Sequence, residues 1–350
     1  MTLDIRSQME LVLNNTVEVV TKDKLEKLLS DKEKKTAYVG FEPSGKVHIG
    51  WLIFARKIIE LNRCGFHVTI YLADWHAYIN DKLGGDIEKI KKCGKYMEDC
   101  FIALGVDPQL NSFVYASELL GQLSYWEKVF QVAKRSSMAR LKRAMTIMGR
   151  TGDETDVDSS KFFYPVMQVT DIFQLDVDLA LGGMDQRRAH MLALDVAEKL
   201  RWKKPVALHT PIIAGLDSKG RMDIAEEKMS KSNPDSCIFI HDGPDDIKRK
   251  IKKAYCPQGE LEGNPIIDLV SYIVFPALGE LTITRPEKWG GDMHFSSLRD
   301  LVDSYESGQV HPMDLKTAVA NALHEILDPV QKRLTDIYGS LEKMEQMNFN

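Results

Sequence analysis

Two short segments of the chain carry residue types that could hold and neutralise phosphate groups. In the first, "FEPSGKVHIGW" (Phe41 to Trp51), His48 and Gly50 stand where a helix should begin, after an apolar run and a Gly/Ser/Pro loop. A helix N-terminus offers backbone N–H groups and the positive end of the helix dipole to an anion. Gly50 lets a ligand lie against the backbone, and His48 can donate a hydrogen bond to a phosphate oxygen as charge develops. The segment predicts a nucleotide-phosphate site, although His-x-Gly alone is a common string.

The second segment, "EKMSKS" (Glu227 to Ser232), lies in a long polar stretch that is typical of a mobile functional loop. Lys228 and Lys231 could reach the phosphates of a nucleotide and neutralise the charge on departing pyrophosphate. Taken alone, the string also fits a solvated Lys/Ser loop. The two segments follow the first and the last strand of the predicted sheet, and this combination favours a nucleotide site over chance.

Short apolar runs alternate with amphipathic helical patterns over most of the chain. This alternation predicts a doubly wound α/β domain with a parallel sheet. The predicted strands lie in "TAYVGF", "HVTIYLAD", "SFVYASE", "DVDLALGG" and "KPVALHTPII". From about Asp245 helical patterns predominate around one β-like piece, "LTITRP". We therefore expect two domains: residues 1–236, with an insert at about 110–160 and the loop 228–232, and a mainly helical domain over residues 237–350.

Composition limits the partners and the setting of the protein. The 350 residues carry a formal net charge of −5, so any nucleic-acid contact must use local basic patches such as Lys134–Arg150 and Ile247–Tyr255. The five cysteines form no Cys-x-x-Cys pair, and we expect neither disulfides nor a metal site. No apolar run reaches the roughly 18 residues of a membrane span, and the N-terminus lacks a signal pattern. We expect a cytoplasmic protein with no membrane and no DNA partner.

The two phosphate-site strings together resemble the signatures of class I aminoacyl-tRNA synthetases. More closely, six strings in order resemble tyrosyl-tRNA synthetases of the archaeal and eukaryotic type: "YVGFEPSGKVHIG", "YLADWHAYINDKLGGD", "YPVMQVTDIF", "GGMDQRRAHMLA", "KIKKAYCP" and "HPMDLK". The resemblance runs from about Val17 to Leu334. One position departs from it, because Trp51 stands where the His-Ile-Gly-His signature has its second histidine, and the role of Trp51 is left open.

The resemblance implies a fold, a reaction and an assembly. The fold would be a Rossmann-like catalytic domain followed by a helical anticodon-binding domain. The enzyme would use ATP and Mg²⁺ to convert L-tyrosine into tyrosyl-adenylate, releasing pyrophosphate, and would then transfer tyrosine to the 3′ end of tRNA-Tyr. The family is homodimeric, and the insert would form the interface.

The resemblance also implies roles for individual residues. Tyrosine would be bound by Tyr38, Tyr164, Gln168, Asp171 and Gln186. ATP would be bound by Gly40, Glu42, His48, Gly50 and Lys231. Catalysis would depend on His48, Lys228 and Lys231. The tRNA would be contacted by Arg187, Trp289, His311 and Asp314.

The residue chemistry agrees with part of this assignment. A phenol both donates and accepts, so Asp171 could accept its hydrogen while the Tyr38 hydroxyl completes the pair. Tyr164, Gln168 and Asp171 are spaced to share one helix face. Without the resemblance, Tyr164 would fit a core aromatic and Gln168 a structural hydrogen bond. His76, near the end of the second strand, fits either a pocket lining or a structural histidine.

Two other interpretations stay open. One is a different enzyme of the same superfamily, either a tryptophanyl-tRNA synthetase or a small-molecule adenylyltransferase. An indole has only a donor, so the pair Tyr38 and Asp171 favours tyrosine, and the helical domain with His311 and Asp314 disfavours a small-molecule enzyme. The other is a non-catalytic RNA-binding relative, and the presence of His48, Gln186 and the two loop lysines argues against it.

Overall fold

The computed structural model describes residues 3–31, 33–148, 158–218, 234–347 and 349. The predicted loop with Lys228 and Lys231, and most of the acidic stretch 151–160, lie outside these residues. The chain packs into two units. The first comprises the chain up to Gly45, Phe54–Pro211 and the C-terminal end from Phe349, and the second comprises Lys46–Ile53 and Ile212–Asn348.

The first unit is built on a six-stranded sheet. Its strands are β1 (Glu18–Val20), β2 (Lys35–Phe41), β3 (Phe66–Leu72), β4 (Asn111–Tyr115), β5 (Leu179–Gly183) and β6 (Val206–Thr210). They run in the order β1-β6-β5-β2-β3-β4, and every neighbouring pair is parallel except β1 with β6. The predicted doubly wound parallel sheet is confirmed, and β1 is an addition to it. Residues 111–115, at the start of the predicted insert, form the edge strand β4.

Helices connect these strands. They are α1 (Ile5–Leu13), α2 (Lys22–Ser30), α3 (Trp51–Arg63), α4 (Asp74–Ile79), α5 (Ile87–Ala103), α6 (Ala116–Leu120), α7 (Leu123–Arg135), α8 (Met138–Ala144), α9 (Phe163–Gln174) and α10 (Arg187–Leu200). Helix α3 ends before Gly65, whose φ of +86° is readily adopted only by glycine. Side chains of β2, β3 and β5 pack with those of α7, α9 and α10 in one apolar cluster.

Helix α9 is the most deeply placed of these helices. Every residue from Tyr164 to Ile172 is buried, including the polar Gln168, Thr170 and Asp171. A helix that is buried all round cannot hydrate its polar side chains, so each of them needs a partner in the protein or in a ligand. This requirement makes α9 the element from which a binding site can be built.

The second unit is mainly helical, as the sequence predicts. Its described elements are α11 (Pro244–Lys253), α12 (Pro265–Leu269), the π-helical turn Val270–Val274, α13 (Phe275–Leu278), β7 (Leu281–Ile283), β8 (Met293–Phe295), α14 (Leu298–Glu306), α15 (Pro312–Tyr338) and α16 (Leu341–Glu345). Proline opens three of these helices, where its missing N–H costs nothing. The predicted β-like piece is β7, which pairs antiparallel with β8. Among the described helices, none combines the length and the apolar character needed to cross a membrane.

Within the second unit, the segment that contains His48 pairs with the chain just after residue 234. The Ile49 N–H donates to the Ile238 carbonyl at 2.8 Å, and the Ile240 N–H donates to the Val47 carbonyl at 3.2 Å. A buried ion pair holds the segment that contains Ile238 and Ile240 in place. Lys250 Nζ bonds to Asp242 Oδ2 and donates to the Cys237 carbonyl at 2.9 Å.

We expect Lys250→Met to destabilise the protein. Burial raises the pKa of Asp242, which shows that its charge is costly there and depends on Lys250. Removing one partner of a buried pair leaves an uncompensated charge and should lower the free energy of unfolding by about 3 kcal/mol. Denaturant unfolding would measure the change.

Lys248→Met is the matched control, because Lys248 is exposed on the same helix. It should change the unfolding free energy by less than about 0.5 kcal/mol. Equal effects of the two substitutions would contradict the assignment of a stabilising role to the buried pair.

Candidate active site

Helix α9 turns three polar side chains to one place, as their spacing predicts. Tyr164, Gln168 and Asp171 are all buried. Gln168 Nε2 donates to Gln186 Oε1 at 3.0 Å, which ties α9 to the turn between β5 and α10. Gln186 Nε2 in turn lies 3.4 Å from the Ile147 carbonyl. Four of the five predicted tyrosine-binding residues therefore form one group.

Asp171 is the centre of a hydrogen-bonded cluster. The hydroxyls of Tyr71, on β3, and Tyr125, on α7, each donate to Asp171 Oδ1 at 2.8 Å. His76 Nε2, on α4, lies 3.1 Å from the other oxygen, Oδ2, without the alignment of a hydrogen bond. The carboxyl group is fully buried. Three elements of the first unit therefore converge on one side chain of α9.

Tyr38, the fifth predicted residue, joins this cluster from the central strand β2. Its ring centroid lies 5.8 Å from that of Tyr71. Burial, and then the charge of Asp171, raises the pKa of Tyr38 well above the usual value for a phenol. The same two causes raise the pKa of Tyr71 and of Tyr125. Each phenol therefore keeps its hydrogen and has one to donate.

Several buried polar atoms of this cluster have no hydrogen-bond partner within the described part of the chain. They are Asp171 Oδ2, both ring nitrogens of His76, and Gln168 Oε1. Buried polar groups are satisfied in the great majority of cases, so exceptions that gather in one place indicate a polar ligand. For His76, the pocket-lining interpretation is favoured over a satisfied structural histidine. Its ring meets that of Tyr164 edge to face, with centroids 5.0 Å apart.

The end of β2 carries two residues predicted to bind ATP. Asn80 Nδ2 donates to Glu42 Oε1 at 3.0 Å and to the Met148 carbonyl at 3.1 Å, so Glu42 is held in place. Gly40 is required by a close approach, because a Cβ there would lie 2.4 Å from the Tyr38 hydroxyl oxygen. A side chain at residue 40 would displace the Tyr38 hydroxyl from its position.

His48 and Gly50 lie together in the second unit. The Gly50 N–H donates to His48 Nδ1 at 3.2 Å, so the neutral ring carries its hydrogen on Nε2, the form that can donate. The expectation of free N–H groups at the start of α3 is wrong. The N–H groups of Trp51 and Leu52 donate at 3.0 Å to the carbonyls of His48 and Ile49, because the first turn closes tightly on itself. Trp51 is buried, with its ring edge to face with His48 at 6.5 Å.

Arg187, the first of the predicted tRNA-binding residues, is engaged within the protein. Its guanidinium forms two hydrogen bonds to Glu18, from Nε at 2.7 Å and from Nη2 at 2.9 Å. This bidentate pair raises the pKa of Arg187 and lowers that of Glu18. A phosphate contact by Arg187 would therefore compete with Glu18.

The remaining predicted tRNA-binding residues lie in the second unit. Trp289 is 66% exposed, and Lys288 Nζ lies 5.5 Å from its ring centroid. His311 caps the N-terminus of α15, where its Nδ1 accepts from the Met313 N–H at 3.2 Å. Asp314 follows in the first turn of the same helix, a position that the helix dipole also favours.

Sequence reasoning missed three residues of the site: Tyr71, Tyr125 and Asn80. Tyr71 carried a usable signal, since a tyrosine inside a buried parallel strand needs a partner for its hydroxyl. Tyr125 and Asn80 gave none, because their contacts depend on how α7 and α4 pack. Among the described residues, no group of three His, Cys, Asp or Glu side chains is placed to hold a metal ion.

Comparison with known proteins gives a consistent picture. The family model for class I tRNA synthetases (W and Y) matches residues 30–328. A "Tyrosine--tRNA ligase" of Sulfolobus acidocaldarius is 47% identical over 97% of this chain and 99% of that protein. A second, from Saccharolobus solfataricus, is 48% identical over 95% of this chain and 93% of that protein.

Solved structures agree in fold. The crystal structure of tyrosyl-tRNA synthetase from Aeropyrum pernix has a TM-score of 0.88 and 42% identity, covering 99% of this chain and 100% of that chain. The tyrosyl-tRNA synthetase complexed with L-tyrosine from Pyrococcus horikoshii has a TM-score of 0.90 and 39% identity, covering 99% of both chains. The predicted fold class is thereby confirmed over nearly the whole chain.

We expect His76→Phe to leave the free protein as stable as before, or to stabilise it by about 1 kcal/mol. The substitution keeps a ring against Tyr164 and removes two buried nitrogens that have no partner in the described structure. Thermal or denaturant unfolding of the free protein would measure the change.

His190→Phe is the matched control. His190 is equally buried, but its Nδ1 is paired with His209 Nε2 at 3.0 Å, and burial lowers the pKa of His190 to about 3. Its loss leaves a buried partner unpaired and should cost about 1–3 kcal/mol. A cost for His76→Phe as large as that for His190→Phe would show that His76 is a structural residue.

Proposed function

Because this chain belongs to the class I tRNA synthetase family of tryptophan and tyrosine enzymes, we propose that it charges tRNA-Tyr with tyrosine. It activates L-tyrosine with ATP to tyrosyl-adenylate, releasing pyrophosphate, and transfers the tyrosyl group to the 3′ end of the tRNA. The observation that carries the proposal is the buried Asp171, whose Oδ2 has no partner in the described residues, beside the neutral phenol of Tyr38.

This pair of groups complements a phenol. Asp171 Oδ2 accepts the hydrogen of the substrate hydroxyl, and the Tyr38 hydroxyl donates to its oxygen. Phenylalanine would leave Asp171 Oδ2 without a donor and the Tyr38 hydroxyl without this acceptor, at about 1–3 kcal/mol for each. Tryptophan offers only an N–H donor and leaves Tyr38 without its acceptor. The chemistry therefore selects tyrosine between the two amino acids that the family uses.

The substrate's amino group takes the neighbouring acceptors. An ammonium group has three hydrogens to donate, and Gln168 Oε1 is a buried acceptor without a partner in the described residues. Tyr164 and Gln186 complete the contacts in this proposal. Gln168 and Gln186 are already bonded to each other at 3.0 Å, so their amide orientations are fixed before tyrosine binds.

Activation needs no covalent enzyme intermediate. A carboxylate oxygen of tyrosine attacks the α-phosphorus of ATP, the bond to the β-phosphate oxygen breaks, and pyrophosphate leaves. Gly40, Glu42, Gly50 and Lys231 position ATP, and the charge that develops is stabilised by His48, Lys228 and Lys231. Mg²⁺ would be held mainly by the phosphates of ATP, as is typical of this ion, and would supply neutralisation of their charge.

The second step needs tRNA. The terminal ribose hydroxyl attacks the carbonyl carbon of the adenylate, and AMP leaves. Asp314 accepts hydrogen bonds from a base edge of the anticodon, while Trp289 and His311 stack on splayed bases. The 66% exposure of Trp289 suits this role. Arg187 contacts the acceptor stem when the tRNA displaces its bond to Glu18.

Assembly and location complete the proposal. Helix α7 exposes Leu123 by 76% and Phe130 by 67%, two turns apart on one side of the helix. Such an apolar stripe suits a homodimer interface in the region of the predicted insert. The enzyme acts in the cytoplasm, where tRNA and ATP are available.

An ATP–pyrophosphate exchange assay tests the proposed activation step. We expect tyrosine to drive exchange and tryptophan to drive none, and we expect Asp171→Ala to abolish the tyrosine-dependent reaction. Exchange driven by tryptophan would contradict the proposed substrate. Full activity of Asp171→Ala would contradict the proposed recognition of the hydroxyl.

Asp314→Ala tests the tRNA contact. It should lower kcat/KM for tRNA charging about tenfold, because a good base-edge contact contributes about 1–3 kcal/mol by analogy with base readout in DNA. Tyrosine-dependent exchange without tRNA should stay at the wild-type rate. Asp300→Ala is the matched control, since Asp300 also lies in the first turn of a helix, α14. An equal fall in exchange would mean that Asp314 is structural.

A further inference from the structure

Asp171 is held from two sides by phenols that no proposed substrate contact includes. Tyr71 comes from the sheet and Tyr125 from helix α7, and both hydroxyls donate to the same oxygen, Oδ1. Both tyrosines are at most 1% exposed. The second oxygen, Oδ2, has no hydrogen-bond partner in the described structure and lies 3.1 Å from His76 Nε2.

This arrangement gives the two oxygens of the Asp171 carboxyl group different functions. A carboxylate oxygen has about two lone-pair sites, and the two phenols fill those of Oδ1. An incoming hydroxyl can then bond only to Oδ2. Because the donors belong to different elements, β3 and α7, the carboxyl group is fixed against rotation as well as against displacement.

Resting on the proposed function, we propose that Tyr71 and Tyr125 are positioning residues that aim Asp171 Oδ2 at the substrate hydroxyl and thereby set the preference for tyrosine over phenylalanine. Neither residue acts on the reacting atoms. The phenol of the substrate and its carboxylate lie at opposite ends of the molecule, so the two tyrosines govern recognition and leave the chemical step unchanged.

The consequence of losing one phenol follows from the same geometry. With Tyr71 or Tyr125 replaced by phenylalanine, Oδ1 regains an empty lone pair and competes with Oδ2 for the substrate hydrogen. The carboxyl group is then held by one phenol instead of two and rotates more easily. Tyrosine then binds more weakly, whereas phenylalanine, which makes no bond to Asp171, is affected much less.

The experiment compares Tyr71→Phe and Tyr125→Phe with the wild type in ATP–pyrophosphate exchange. For each variant we expect the KM for tyrosine to rise about tenfold, as for loss of a hydrogen bond to a charged group, with kcat within twofold of wild type. The ratio of kcat/KM for tyrosine to that for phenylalanine should fall by a similar factor.

Tyr305→Phe is the matched control. Tyr305 is fully buried in the second unit, where its hydroxyl donates to the Pro257 carbonyl at 2.6 Å. The variant loses a buried phenol hydroxyl and some stability, but the KM for tyrosine and the discrimination ratio should stay within twofold of wild type. This control separates the general effect of removing a buried tyrosine hydroxyl from the specific effect of removing a hydroxyl that bonds to Asp171.

An unchanged KM and discrimination ratio in Tyr71→Phe or Tyr125→Phe, with reduced thermal stability only, would overturn the positioning role of that residue. If one variant does not fold, the other decides by the same criterion. Failure of the proposed function looks different, because the wild-type enzyme would then show no tyrosine-dependent exchange at all.

Discussion

A carboxyl group removed from water needs its lone pairs filled, and the arrangement around Asp171 follows from that requirement. Helix α9 is buried along nearly its whole length, so solvent cannot satisfy the polar groups on it. The sheet supplies one donor through Tyr71, and helix α7 supplies another through Tyr125. The oxygen Oδ2 of Asp171 has no hydrogen-bond donor in the described structure, and it faces His76. The site is therefore the part of a buried polar network that the protein itself does not complete.

Much of the fold could be predicted because its local signals agree with its long-range packing. The central strand β2 is bonded on both edges, to β3 and β5, and such a strand shows as an uninterrupted apolar run. Pro312 opens helix α15 and Gly65 follows the end of helix α3, which are the positions that these two residue types favour. The short strand β1 could not be found this way. It has three half-buried residues, and what defines it is its antiparallel pairing with β6.

The site was less predictable than the fold, and the reason is the length scale of its contacts. Helical spacing places Tyr164, Gln168 and Asp171 on one face of α9, since that relation is local. The bonds from Tyr71 and Tyr125 to Asp171 span 100 and 46 residues of chain, and no local pattern encodes them. At His48 the local pattern identified the residue types, but hydrogen bonds within the tight first turn occupy N–H groups that the pattern predicts to be free.

The buried polar atoms that have no hydrogen-bond partner in the described structure affect both the stability of the protein and its choice of ligand. A buried acceptor without a partner, such as Asp171 Oδ2 or Gln168 Oε1, raises the free energy of the free protein by about 1–3 kcal/mol on the usual scale. A ligand that supplies the missing donors removes this cost, whereas a ligand of the same shape without them does not. The difference in binding free energy between the two ligands thus has its origin in the free protein. A mobile carboxyl group could find other partners and remove the cost of its unpaired oxygen without the ligand. A rigid carboxyl group cannot, and it therefore discriminates better between the two ligands.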